Sequence, residues 1–406
     1  MKATFKRAKA HSLRGKVFCS MMMAMAVVSF IGCENDGDDA PLVAGIPRDS
    51  SAEPNPDIGT ATMSVPNFLM TVKKESGHDV LYLDMTGIQN PQTKEWLTLT
   101  GGESDQSVWK PWETYSAGSK QNVWLSIDGK PKGIAVLNNS NIGQSTLFMT
   151  DVVLLVDNSG SMSEEADAIA LDIIDWAAEL SNSRLDVRFG CVGYDDLGSI
   201  SGALNITDEK FLSTYLQRAF GTDRTVGFSG FDAATLEQAA NDYGFAGGEC
   251  GVLALRFADE NLSFRKGALR TYVNFTDEPN QPRDSAGWSV EFVNSQNNWP
   301  PSKGTIHTVF SDDTTFFDTG EFYSYEEKPW EMSRYTGGTE LFVSSDFSGV
   351  TLNTLPVTGA LQNAYQIRAV VDEYMNNKPH VVTLTIFSEN GQVKAKKEVS
   401  TIFTYQ

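Results

Sequence analysis

The chain has 406 residues, 41% hydrophobic and 21% charged, and 32 Lys and Arg against 52 Asp and Glu give a net charge of −20. An acidic chain with no long basic cluster beyond its start lacks the counterion-release route to nucleic acid, which excludes that partner. Aromatic residues at 11% exclude wholesale disorder, and the length admits two or three domains with their own cores.

Residues 1–16 carry Lys2, Lys6, Arg7, Lys9, Arg14 and Lys16 and no acid, and 17–32 is uncharged and rich in Met and Ala. A basic segment before an apolar stretch shorter than the roughly 20 residues of a membrane span predicts a secretory signal. The stretch ends Ser29-Phe30-Ile31-Gly32-Cys33, which resembles the lipobox of bacterial lipoproteins. The resemblance implies removal of 1–32 and acylation of the Cys33 thiol, hence a lipid anchor in the bacterial envelope. Glu34 after that cysteine, where an Asp is the usual retention signal, points to the outer membrane. Residues 33–60 are polar, include Pro41, Pro47, Pro54 and Pro56, and read as a flexible tether. Cys19 leaves with the signal, so Cys191 and Cys250 remain, either paired or as two buried thiols.

From 61 to 147 the pattern is short and alternating. Strands are expected at 61–65, 68–73, 80–85, 96–99, 123–127 and 133–137, with turn signals at Asp128-Gly129 and Asn138-Asn139. That spacing predicts an antiparallel β-sandwich. At Met149 the texture changes. The run Asp151-Val-Val-Leu-Leu-Val156 predicts a parallel strand covered on both faces. An amphipathic helix follows, with Ala166, Ile169/Ala170, Ile173/Ile174 and Ala177/Ala178 on its apolar face. Further strands are expected at 186–194, 269–275 and 305–310, and helices at 210–219, 232–243 and 249–261. Alternating strands and helices predict a doubly wound, Rossmann-like α/β domain over 148–352. The tail, 356–406, returns to strands at 365–371, 380–387 and 394–402, with the turn Asn390-Gly391. Three strands are few for a domain, so the tail is expected to complete the first sandwich, with the α/β domain inserted in it; a separate small sheet is the alternative.

The residues with chemistry to offer lie at the end of the apolar run. Asp157-Asn-Ser159-Gly-Ser161 places one carboxylate and two hydroxyls in a tight turn at the carboxyl end of a core strand, where open α/β sheets bind ligands. Such oxygens suit Mg2+ or Ca2+ rather than zinc. Asp and Ser are also favoured helix caps, so the turn gains meaning only from its place between strand and helix.

The sequence VVLLVDNSGSM resembles the opening of a von Willebrand factor type A domain, whose D-x-S-x-S turn builds a metal-ion-dependent adhesion site. The likeness extends over the segments at 187–194, 272–277, 305–310 and 335–338, about half of the chain. It implies that Asp277, ending its strand in T-D, contacts the metal directly or through water. Most members supply a threonine from a middle loop; here Gly248-Glu249 resembles the integrin β version, which implies Glu249 as ligand, with Thr235 and Thr225 as alternatives. The plain reading of Glu249 is a first-turn acid favoured by the helix dipole. Glu164 and Glu165 likewise resemble the acids of an adjacent Ca2+ site in integrin β, or are solvated first-turn acids.

No G-x-S-x-G elbow, H-E-x-x-H or P-loop is present, and Ser159 has no base near it in sequence, so no enzymatic activity is expected. The family implies a cation with one open position that accepts an Asp or Glu carboxylate of a protein or matrix ligand. The alternative is a structural component of an envelope complex that uses the domain for docking.

Overall fold

The computed structural model describes residues 41–101, 121–138, 149–163, 165–182, 185–283, 285–315, 317, 326–345, 347, 355–388 and 390–405. Cys33, Glu164 and Asn139 lie outside them.

Five strands come first: β1 (Phe68–Glu75), β2 (His78–Met85), β3 (Val123–Ile127), β4 (Lys130–Lys132) and β5 (Ala135–Asn138). Asp128 and Gly129 both take positive φ, 50° and 75°, the twist a two-residue hairpin between β3 and β4 requires. The middle of the chain runs β6 (Met149–Asp157), α1 (Ala166–Asn182), β7 (Asp186–Tyr194), β8 (Ile200–Thr207), α2 (Glu209–Gln217), β9 (Gly227–Ser229), α3 (Ala233–Asp242), α4 (Gly251–Asn261), β10 (Leu269–Thr276), α5 (Glu291–Asn294), β11 (Thr305–Phe310), α6 (Glu331–Thr336), β12 (Glu340–Phe342) and α7 (Pro356–Gln362). Then β13 (Tyr365–Val370), β14 (His380–Phe387) and β15 (Lys394–Thr401) close the order.

Among the described residues these strands make three sheets. The central one has the order β12-β11-β10-β6-β7-β8-β9, parallel throughout except where β8 runs against β7. Its middle strand explains the apolar run. Val152, Leu154 and Val156 join a core with Ile169, Ile173, Trp176 and Ala177 of α1, while Val153 and Leu155 join one with Val252, Leu253 and Leu255 of α4. Both faces are therefore covered, as a parallel strand demands. A mixed sheet so clothed, beside separate antiparallel sheets, is compatible with a von Willebrand A-like α/β fold.

The other two sheets have the orders β1-β2-β13-β5 and β15-β14-β3-β4, all antiparallel. Each combines strands from before and after the central sheet. One core spans them, including Leu83, Leu125, Val136, Ile367, Leu384 and Ala395.

Several expected elements differ. Residues 61–65 and 96–99 are not strands: the Thr62 N–H donates to the Lys394 carbonyl at 2.8 Å, and Trp96 makes a single bridge with Gln89. Strand β8 and the short strands β9 and β12 carry no sequence signal strong enough to announce them. The tail also divides otherwise than at 356. Leu355, Val357 and Leu361 pack with α1, and the Trp176 Nε1–H donates to Thr358 Oγ1 at 2.7 Å, so the helical layer runs on through α7. Cys191 and Cys250 are free and buried. No helix among the described residues is long and apolar enough to cross a membrane.

The sandwich meets the helical part through Asn67. Its N–H donates to the Thr336 carbonyl at 2.9 Å, its side-chain amide donates to Gly304 O at 2.7 Å, and its Oδ1 accepts from Lys397 Nζ at 2.6 Å. Burial lowers the Lys397 amine to about 7. With the folded value below the unfolded one, the unfolded chain binds more protons in between. Stability should therefore rise from pH 7 toward about 10, by up to about 1.4 kcal/mol per pH unit. Urea melts across that range should show the slope in the parent and lose it in Lys397→Met; an unchanged slope in the variant assigns it elsewhere.

Candidate metal centre

The chain leaves β6 toward β7 and β8 on one side and returns to β10 on the other, so the crevice between β6 and β10 is the point where strand order reverses. Register places Phe275 beside Val156, which brings the ends of the two strands together. Asp157 ends one, and Thr276-Asp277 ends the other.

The turn after β6 is built on Asp157, which is 1% exposed. Its Oδ1 accepts the Ser159 N–H at 2.9 Å, and its Oδ2 accepts the Thr276 hydroxyl at 2.8 Å. Ser159 Oγ and Ser161 Oγ are hydrogen-bonded at 2.9 Å, and Ser161 Oγ donates to Asp277 Oδ1 at 3.2 Å. The hydroxyls of Ser159 and Ser161 and the Asp277 carboxylate are thus joined, and Asp157 is tied to the same turn through the Ser159 N–H. Asp157 is not the cap of α1, which begins nine residues further on; it closes an Asx-type turn.

Charge at this place is uncompensated. Burial raises the Asp157 carboxyl well above its ordinary range, and the like charges of Asp277 and Glu249 add to it, against the hydrogen bonds from Ser159 and Thr276. Burial raises Asp277 as well, with Asp312 adding. Glu278 is raised to about 7 by burial and then by Asp277, Glu249, Asp312 and Glu326. Among the described residues no Lys or Arg forms an ion pair with Asp157, Asp277, Glu249 or Glu278.

Glu249 is half-buried, and burial and then the charges of Asp196, Asp277 and Asp195 raise it. It lies outside the helix: Cys250 is the N-cap and α4 starts at Gly251, so the reading as a first-turn acid does not hold. Its backbone carbonyl accepts from Gln281 N–H at 2.8 Å, which ties the loop to the segment beyond β10. Its carboxylate makes no hydrogen bond to the D-x-S-x-S turn among the described residues. The two threonines do other work. Thr235 is exposed on α3. Thr225 is buried, and its hydroxyl donates to Asn158 Oδ1, clamping the turn rather than entering it. Gly193 allows that clamp: a Cβ there would lie 2.4 Å from Asn158 Nδ2 and 2.6 Å from the Thr225 carbonyl.

Glu165 is 1% exposed and its Oε1 accepts from Ser311 Oγ at 2.7 Å, so it is not a solvated first-turn acid. Thr276, which holds the second oxygen of Asp157, was legible in sequence only as the T of T-D.

Among the described residues no group of three or more His, Cys, Asp or Glu side chains is arranged to hold a metal ion. The oxygens that do converge are two carboxylates and two hydroxyls. That set fits a hard divalent cation by its chemistry, with buried negative charge and no basic partner.

No family model matches the chain, and no curated protein matches it. Among solved structures, BatB, a conserved hypothetical protein from Bacteroides thetaiotaomicron, is similar at 13% identity, over 52% of this chain and 96% of that one, with a TM-score of 0.33. The pilus adhesin SpaC from Lactobacillus rhamnosus GG, in its open conformation, is similar at 12% identity over 83% of this chain, with a TM-score of 0.31. The match takes in 55% of SpaC, about half its length. These TM-scores mark a distant likeness of fold at most.

Proposed function

We propose that this is a lipid-anchored protein of the bacterial envelope, in the outer membrane, that binds a protein or matrix ligand through Mg2+ or Ca2+. The reading rests on the von Willebrand A-like turn and on one observation above all. Asp157 and Asp277, both buried and without a basic partner among the described residues, are joined at the switch point of the sheet through the Ser159 N–H and the hydroxyls of Ser159 and Ser161.

Asp157 and Asp277 would supply the charge, Ser159 and Ser161 the neutral oxygens, and Glu249 the third acid from the middle loop. When bound, the cation supplies an electrophilic position for a ligand's carboxylate. The chain's own residues do the rest. The Ser159 N–H and the Thr276 hydroxyl each hold one oxygen of Asp157, so the carboxylate is oriented beforehand. Thr225 fixes Asn158 and with it the turn. A chain of net charge −20 repels acidic partners, and a cation at this point reverses that sign locally.

Thermal scans of the full chain test the reading. Millimolar Mg2+ or Ca2+ should raise the Tm above its value in EDTA, because a ligand bound only by the folded state stabilises it. Absence of any shift with either cation removes the chemical basis of the proposal. The anchor has a separate test. Cys33→Ser should move the chain from the detergent to the aqueous phase on partitioning, and unchanged partitioning would sink it.

A further inference from the structure

Two large apolar side chains stand exposed beside this site: Leu197 at 72% and Phe245 at 68%. Single exposed hydrophobics are ordinary on protein surfaces and need no explanation. These two differ because they are neighbours on locked backbone. The Ala246 N–H donates to the Gly198 carbonyl at 2.8 Å, and Leu197 and Phe245 each directly precede one end of that bond. Gly198, at φ +71°, lies so close to Ala246 that a Cβ would stand 2.8 Å from its carbonyl carbon.

The turn that carries Leu197 is closed from within. Asp195 Oδ1 accepts from the N–H of Leu197 at 3.1 Å and of Ser199 at 3.0 Å, and the Ser199 hydroxyl donates to the same carboxylate. The loop that carries Phe245 is pinned twice more, by Gly247 N–H to Gln281 O at 2.9 Å and by Gln281 N–H to Glu249 O at 2.8 Å. Both side chains are therefore offered to solvent by rigid loops that also bring Asp195, Asp196 and Glu249 within reach of one another's charge. Apolar groups held on fixed backbone lose little freedom when covered, which is the property of a binding anchor.

Charge decides what covers them. Asp195 and Asp196 directly precede Leu197, and Glu249, four residues after Phe245, feels the charges of Asp196, Asp277 and Asp195, in a chain of net charge −20. A segment that brings one carboxylate to the centre must otherwise be basic to approach. The geometry points to a polypeptide segment as ligand, in which one Asp or Glu is flanked by a large apolar residue seated on Leu197 and Phe245 and by Lys or Arg facing the acidic rim. This rests on the cation-dependent reading above and specifies its ligand.

The test selects a phage-displayed library of random peptides on the full chain, in Mg2+ and in EDTA, and repeats it with Leu197→Ser/Phe245→Ser. Peptides that carry an acid next to Leu, Ile, Phe or Met together with a basic residue should be enriched in Mg2+ alone. A synthetic peptide of that consensus should bind the double variant on the order of tenfold or more weakly. The Mg2+-dependent Tm rise of the variant should equal that of the parent, which shows the fold and the cation site intact. Cation-dependent peptides without an apolar neighbour, or equal binding by the double variant, overturn the inference and leave the cation reading standing. Enrichment indifferent to EDTA, or none, with no Tm shift in the parent overturns both.

Discussion

Asp157→Asn should abolish the cation-dependent rise in Tm and raise the Tm measured in EDTA. The substitution keeps the shape and an acceptor oxygen of a side chain that is 1% exposed, and removes its charge. In the parent without cation that charge is buried with Asp277 and Glu249 nearby, and no basic side chain pairs with it among the described residues. Removing it relieves both desolvation and like-charge repulsion. In the parent, a cation present at 100 times its Kd adds about 2.7 kcal/mol, and for a cooperative unit of roughly 200 residues each kcal/mol moves Tm by about 2–4 °C. The variant should show none of that gain. An Asp that only closed a turn would behave otherwise: its replacement would cost stability with and without cation. Scans of parent and variant in Mg2+ and in EDTA separate the two, and a variant less stable in EDTA with its Mg2+ response intact would refute the metal site.

A chain that ends at Asn363 should lose the sandwich and keep the central sheet. β13 lies between β2 and β5, and β14 lies between β15 and β3, so truncation removes an inner strand from each antiparallel sheet. It also removes Tyr365, Ile367, Val371, Val382, Leu384, Ile386 and Val399 from the shared core. What remains before residue 139 is strands with unpaired edges and half a core, too little for an independent fold. The central sheet keeps all its strands, and it keeps α7, whose Leu361 and Thr358 pack and bond against α1. Calorimetry of a fragment spanning 149–363 should show one cooperative transition. Stopping at 352 instead should weaken it, because Trp176 Nε1 then loses its buried acceptor, at about 1–3 kcal/mol, along with the apolar cover of α7. A protease-resistant 41–138 fragment would show that the antiparallel strands do not depend on the tail.

The parts of this molecule legible in its sequence are those in which a short stretch of chain decides its own structure. The run at 152–156 reads as a strand buried on both sides, because no side chain in it has a polar group for water. α1 announced itself by apolar spacing, and Asp128-Gly129 by the positive φ its hairpin needs. The D-x-S-x-S oxygens were visible for the same reason: three ligand-type residues lie within five positions. Tertiary structure alone decided the rest. Nothing local tells Asn67 that its partners are Lys397, Gly304 and Thr336, or tells β13 that it lies between two strands from the far side of the chain. Such pairing joins strands far apart in the chain, and no window of sequence contains both edges. Glu165 makes the point at a single residue. By sequence it is a first-turn acid like its neighbour, and only the arrival of Ser311 at the end of β11 turns it inward. Thr225 and Glu249 divided in the same way. Either residue type can bind a cation; Asn158 bonds to the one, and the charges of Asp196, Asp277 and Asp195 act on the other.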